Sequence, residues 1–323
     1  MRVFQFFRRG TRPETATLTT FIDTYREPFG VQAICRTLAW AGIPVAASTY
    51  YAAKKRPPSP RTLRDAELTG QIRRIHEANY GVYRARKVWH QLRREGIDVA
   101  RCTVKRLMRQ ARLAGTTRGR RVRTTVPGKD GRRAGDLVNR DFHPAGPDRL
   151  WVADFTYVPT WAGTVYVAFC PDAFPRRILG WKASTSKQTS LVLDVVDQAL
   201  WQRGYHPNQQ VTGLIHHSDA GSQCTSTAFT ECLAQAGIAH WIGTVADAYD
   251  NALAESTIGL FKTELIHRHG PWRTFTEVEF ATAEWLDWYN HRRLRGALDH
   301  TSPAEYETAY YHQHTDAEET LSA

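Results

Sequence analysis

Cysteine is scarce in this chain: five in 323 residues, Cys35, Cys102, Cys170, Cys224 and Cys232. They are odd in number, widely spread and form no CxxC. That argues against a disulfide framework or a zinc ribbon and for reduced, mostly buried thiols in a cytosolic protein. No apolar run approaches the roughly 20 residues needed to span a bilayer. The opening Met1-Arg-Val-Phe-Gln-Phe-Phe7 is too short, and too soon followed by Arg8 and Arg9, to be a secretory signal. Internal repeats and heptad runs are missing as well. What is present is 42% hydrophobic residues and ten Trp, in a chain long enough for two or three domains with cores of their own.

Net charge is +11, but its distribution says more. Residues 1–149 carry 32 Lys/Arg against 12 Asp/Glu, whereas residues 150–310 carry 11 against 17. A basic front half joined to an acidic back half fits a front that grips a polyanion and a back that holds cations and does chemistry. Solubility alone would be served by the same asymmetry.

The front half reads as two helical modules. Phe21 to Leu38 has helical spacing (Ile34, Leu38) until Gly42-Ile-Pro44 breaks it, and a short helix starts near Ser48, a candidate cap. The second module has helices over Leu63–Asn79, Ala85–Arg94 and Val99–Ala111, joined by Gly81-Val-Tyr83 and Glu95-Gly-Ile-Asp98, a helix-turn-helix arrangement. Arg101, Lys105, Arg109 and Arg112 lie on the polar side of the third helix, where a recognition helix meets DNA. A three-helix bundle with a solvated basic face would look the same. From Thr116 to Arg133 the chain is a linker without a core, and Arg118, Arg120 and Arg121 are placed there to track a phosphate backbone.

Beyond Leu150 the periodicity changes. Strand-like segments at Leu150–Val158, Thr164–Pro171 and Arg177–Ala183 precede a helix at Thr189–Gln202 and a strand at Val211–His216. A helix at Thr225–Ala236, a strand at Ile238–Ile242 and a long helix at Asn251–His267 follow. The order βββαβαβα is that of an α/β ribonuclease-H-like core. The chain thus divides into an N-terminal helical module (1–60), a helix-turn-helix (61–115), a basic linker (116–148), a catalytic core (149–310) and a tail (311–323).

Three acids fall at telling places in that order. Asp154 lies in an apolar run on the first strand, where a carboxylate needs a partner or a metal. Asp219 follows the fourth strand in His216-His-Ser-Asp-Ala-Gly-Ser-Gln223, and ligands collect off strand carboxyl ends in open α/β sheets. Glu255 lies near the start of the last helix, capped by Asp250 or Asn251, with Gly259 and Lys262 on its face. Singly they read as a strand-end Asp, a turn Asp and a solvated helix face. Together they are the hard oxygen donors that two divalent cations about 3.5–4 Å apart would take for phosphodiester chemistry. The pair His216-His217 suggests a zinc hydrolase instead, but adjacent strand residues point to opposite faces.

These stretches carry a resemblance. Trp151-Val-Ala-Asp-Phe-Thr-Tyr-Val158, His216-His-Ser-Asp-Ala-Gly-Ser-Gln-Cys-Thr-Ser226, Tyr249-Asp-Asn-Ala-Leu-Ala-Glu-Ser256, Phe261-Lys-Thr-Glu264, Trp288-Tyr-Asn-His-Arg-Arg293 and Ser302-Pro-Ala-Glu305 resemble the catalytic domain of bacterial insertion-sequence transposases of the IS-three family, kin to retroviral integrases. Residues 62–115 resemble the helix-turn-helix that usually precedes it. The resemblance implies a DDE mechanism at element ends, with Asp154, Asp219 and Glu255 binding two Mg²⁺ ions (Mn²⁺ as substitute) and Lys262 holding DNA phosphate. It implies DNA contacts at His291, Arg292 and Arg293, with a structural role as the alternative, and a homo-oligomer on DNA in the nucleoid-associated bacterial cytoplasm. The family commonly has Arg where Ala220 stands and Tyr where Cys224 stands, which puts DNA affinity and turnover in question. It also makes this polypeptide as a second reading frame, so a first-frame product is the expected partner or fusion. The competing readings are a non-catalytic DNA-binding regulator and a ribonuclease-H-fold nuclease.

Overall fold

The structure, a computed structural model, describes residues 13–117, 144–205, 211–218, 227–242 and 252–321. The chain forms two compact units, Met1–Leu68 and Thr69–Ala323.

In the first unit, helices α1 (Thr15–Phe29), α2 (Val31–Trp40) and α3 (Ala47–Lys55) enclose Leu18, Phe21, Ile22, Ile34, Cys35, Leu38 and Tyr50. The single helical run expected over Phe21–Leu38 is two helices. Gly30, at φ 76°, breaks it in a left-handed conformation that glycine tolerates without a Cβ clash. Ser48 is not the cap of α3 either: the cap position is Ala46, which makes no side-chain bond. Asp23 ties α3 to α1 instead, accepting from Tyr50 Oη at 2.7 Å and Lys54 Nζ at 3.0 Å. The tyrosine bond, then the lysine, holds the Asp23 carboxyl below its ordinary pKa.

Helix α4 (Pro60–Ala78) crosses the division between the units. In the second unit α5 (Ala85–Arg94) and α6 (Arg101–Gln110) complete the helix-turn-helix. Val88 and Leu92 of α5 and Val104, Leu107 and Met108 of α6 are buried, as their spacing requires.

Five strands follow: β1 (Leu150–Thr160), β2 (Gly163–Pro171), β3 (Ile178–Ser184), β4 (Ile215–Ser218) and β5 (Ala239–Ile242), with α7 (Thr189–Gln202) and α8 (Thr227–Gln235) between the later ones. They form one sheet in the order β3-β2-β1-β4-β5. β1, β2 and β3 are antiparallel, while β4 and β5 run parallel to β1. This is the ribonuclease-H-like α/β arrangement, with β1 at its centre. The strand expected from Val211 begins only at Ile215, because Gly213 turns at φ 78° just before it.

Alternation along β1 sets the two layers. Trp151 and Ala153 face a core built with Leu191, Val192, Val195, Val196 and Ala199 of α7. Leu150 and Val152 face the other way, onto Leu253 and Ala254 of α9 (Ala252–Phe261). α7 lies so close to β3 that a Cβ on Gly180 would come within 2.0 Å of the Val195 carbonyl oxygen. Gly180→Ala is therefore expected to lower stability by about 1–3 kcal/mol through overpacking, read as a drop in the urea midpoint. An unchanged midpoint would contradict that close approach.

The long helix expected over Asn251–His267 runs unbroken from Ala252 to His269, but it is not α-helical throughout. α9 ends at Phe261, a π-helical turn spans Lys262–Ile266, and a single turn α10 (His267–His269) precedes a cis Gly270–Pro271 bond. α11 (Phe275–His291) is capped by Thr274, whose Oγ1 accepts from the Glu277 amide at 3.2 Å. Trp285 of α11 packs on Phe261, which packs on Phe169 of β2, with centroids 5.3 and 5.0 Å apart. A short 3₁₀ turn (Gly296–Leu298) leads to α12 (Pro303–Leu321). Arg203, just after α7, clamps α12 to the core through ion pairs to Asp148 (2.8 Å), Asp172 (3.0 Å) and Glu307 (2.5 Å).

The helix-turn-helix docks on the segment between α11 and α12. Trp288 Nε1 donates to Asn79 Oδ1 at 2.9 Å, and the Leu294 amide donates to Tyr83 Oη at 2.7 Å. The Tyr83 ring is fully buried, and burial pushes its hydroxyl pKa up to about 12. His90 stacks on His300 at 3.6 Å, and Arg94 pairs with Glu305.

Candidate active site

Asp154 is half-buried on the central strand. Strand alternation puts it on the Leu150/Val152 face, the one that α9 covers. Its Oδ1 accepts from the Phe155 amide at 2.7 Å. Pairing of β1 with β4 runs from Leu150↔Ile215 to Ala153↔Ser218, so Asp154 is the first β1 residue beyond it. Asp219 follows Ser218 in the sequence and lies outside the described residues, as do Ala220, Cys224 and the cap candidates Asp250 and Asn251.

Glu255 is exposed in the first turn of α9, directly after the two residues that seat this helix on β1. Helical periodicity puts Gly259 and Lys262 on its stripe. Leu253, Thr257 and Phe261 are buried on the inward side. Lys262 opens the π turn, with Nζ 4.8 Å from the Tyr157 ring centroid. Burial lowers its pKa, and the negative charge of Asp154 pulls the other way. Asp154 and Lys262 are therefore electrostatic neighbours. A π turn at this position, inside an otherwise α-helical segment, is a feature that recurs at functional sites.

The residues present suit a hard divalent ion. Asp154 and Glu255 offer the carboxylate oxygens that such an ion takes. His216 and His217 are both buried and sit on opposite faces, beside Trp151 and Val152. His216 lies 6.0 Å from the His240 ring, and burial pushes its pKa down to about 3, so it is neutral.

The basic residues separate into groups. Arg101, Lys105 and Arg109 are exposed on α6, and Arg112 is exposed just past its end. Arg118, Arg120 and Arg121 lie outside the described residues. His291 and Arg292 are exposed, each paired with Asp287 at 3.0 Å. Arg293 corrects the expectation of a DNA contact. Its side chain is 6% exposed and pairs with Glu264, Nε at 2.8 Å and Nη2 at 2.5 Å from the two carboxylate oxygens. The guanidinium is turned into the protein, because a buried charge needs its partner more than a surface one does.

Sequence reasoning missed two features here. One is Glu264 as the partner of Arg293, although both lie in stretches singled out above; nothing in one sequence joins residues 29 apart. The other is the exposure of Tyr157, since an aromatic residue on a strand reads as core.

Comparison with known proteins agrees with this layout. Two models described as integrase core domains match residues 144–248 and 236–303, and an HTH-like domain matches residues 63–121. A putative transposase for insertion sequence element IS986/IS6110 of Mycobacterium tuberculosis is 55% identical over 271 residues, 84% of this chain and 98% of that one. A transposase for insertion sequence element IS629 of Shigella sonnei is 50% identical over 295 residues, 90% of this chain and 95% of the other. Among solved structures, the HTLV-2 integrase catalytic core domain in complex with magnesium is similar over 50% of this chain and 98% of its own, at 15% identity and a TM-score of 0.40.

Proposed function

The chain belongs to the IS-three family of insertion-sequence transposases, and from that premise we propose that Asp154, Asp219 and Glu255 are its catalytic acids. It is a DDE-type polynucleotidyl transferase of DNA transposition. The observation that supports the residue assignment is the placement of Asp154 on the face of β1 that α9 covers, within electrostatic reach of Lys262.

Cores of this type depend on a divalent metal; we read it as two Mg²⁺ ions on the three acids, supplying activation of the attacking oxygen and charge stabilisation at the phosphodiester. The protein's own part is positional. Asp154 is fixed by the central strand, Glu255 by a helix seated on that strand, and Lys262 binds a DNA phosphate beside them. Water attacks the phosphodiester at the element end and frees a 3′-hydroxyl. That hydroxyl then attacks a second phosphodiester and displaces its 3′-oxygen, joining the strands without a covalent protein–DNA intermediate. Strand cleavage of an element-end duplex in Mg²⁺, compared between wild type and variants of the acids, tests this assignment.

DNA is the substrate, and α6 is its reader, with Arg101, Lys105, Arg109 and Arg112 toward the duplex. Arg118, Arg120 and Arg121 track its backbone, and Arg292 adds a contact near the core. Lys105→Ala and Arg109→Ala should each weaken duplex binding and flatten the slope of log affinity against log salt, by about 0.9 for every phosphate left without its cation. Slopes equal to wild type in both variants would remove α6 from the interface. A homo-oligomer assembled on DNA, joined by the element's first-frame product, completes the reading.

A further inference from the structure

Large aromatic side chains seldom stand out into water, yet two do so on the β1–β2 hairpin that carries Asp154. Tyr157 is 62% exposed on β1, three residues beyond Asp154, and Trp161 is 71% exposed at the tip of the β1–β2 hairpin. Each carries a cation across its ring. Lys262 Nζ lies 4.8 Å from the Tyr157 centroid, and the Arg273 guanidinium lies 5.5 Å from that of Trp161.

The hairpin tip is held in place. The Trp161 amide donates to the Trp272 carbonyl at 3.0 Å and the Ala162 amide to the Arg273 carbonyl at 3.1 Å. Trp272 Nε1 in turn donates to the Ile266 carbonyl, the last residue of the π turn, at 3.0 Å. Between the hairpin and that turn is an open depression of about 580 Å³, whose lining includes Tyr157, Trp161, Lys262 and Trp272 and, among the described residues, contains no acidic one. Rings for stacking, cations beside them and an absence of acids are the three properties of a surface that takes unpaired nucleotides. A peptide partner would be expected to answer the aromatics but gives no reason for the paired cations. A duplex, with its bases stacked inside, gives no reason for the exposed rings.

We propose that this depression is a subsite for unpaired DNA nucleotides beside the reacting phosphodiester, with Tyr157 and Trp161 as stacking faces and Lys262 and Arg273 as phosphate contacts. Its role in transposition rests on the catalytic reading above, but its binding chemistry does not. Strand ends would be splayed here, so that the end leaves its helix before it is transferred.

The test is a titration of the full chain, in EDTA, with a single-stranded oligonucleotide carrying 2-aminopurine, and in parallel with a blunt duplex. Wild type should quench the fluorophore. Trp161→Ala and Tyr157→Ala should each lose about tenfold or more in single-strand affinity, with duplex affinity and urea midpoint unchanged, and Trp161→Phe should keep the binding. Asp154→Asn should quench as wild type does, so that a failure of the cleavage assignment is read separately. Single-strand affinity unaltered in both alanine variants would overturn the subsite. So would equal proportional losses for single strand and duplex, or a loss of a protein partner's binding with none for DNA.

Discussion

Asp154→Asn and Glu255→Gln are each expected to lower strand cleavage of an element-end duplex by on the order of 10³-fold, the scale seen when a group that stabilises transition-state charge is removed. Both changes keep the side chain's shape and take away one negative charge. Asp154 is half-buried at the edge of the β1–β4 pairing, and the bond it accepts from the Phe155 amide is local. Glu255 is exposed on α9. Neither substitution removes an atom from the core, so the thermal midpoint should hold. Duplex affinity should hold or tighten, because a negative charge leaves the neighbourhood of a phosphate. Activity within a few-fold of wild type in either variant would sink the assignment of that acid. Parallel loss of cleavage, binding and thermal midpoint would reduce it to a structural role.

Arg293→Ala should be the most destabilising single change in the second unit, costing about 3–5 kcal/mol, the range for breaking a buried ion pair from one side. The guanidinium is closed off on every side: Glu264 takes it with two bonds, and the Trp288 and Tyr289 rings lie 5.7 Å from its carbon. Burial alone would lower its pKa, but Glu264 outweighs that and the net shift is upward. Removing Arg293 takes both of these hydrogen bonds from the buried Glu264 carboxylate, on the π turn that carries Lys262, and leaves it only the more remote charges of Lys87 and Arg295. A double variant, Glu264→Gln with Arg293→Met, removes both members of the pair together and should recover most of the loss. Urea unfolding of the four proteins measures both the cost and the coupling. If Arg293→Ala unfolds with the wild-type midpoint yet binds DNA poorly, the residue faces DNA after all.

Much of the architecture was legible because it rests on short-range patterns. The period of 3.6 gave α5 and α7 their observed ends, and the apolar run Leu150–Val158 marked β1 as a buried strand. The order of elements was enough to name the ribonuclease-H-like core. What escaped depends on backbone detail or on contacts between distant segments. Gly30 splits a run that hydrophobic spacing alone joins. The π turn at Lys262–Ile266 leaves no mark in periodicity over five residues. Arg292 and Arg293 read alike as adjacent basic residues, yet one pairs at the surface with Asp287 and the other is buried against Glu264. The ring at Tyr157 carries no local sign that it faces outward. Of the three acids, two can be placed, and Asp219 falls outside the described residues.

The bonds from Asn79 and Tyr83 to Trp288 and Leu294 span 209 and 211 positions of the chain, and none of them runs through residues 118–143. The turn after α4 and the end of α11 are thereby held directly against each other. On the reading proposed above, such a molecule would behave as a ruler: wherever α6 settled on a duplex, the protein would preset the number of base pairs to the scissile bond. Adding half a helical turn of DNA between the two would then put the cut out of phase.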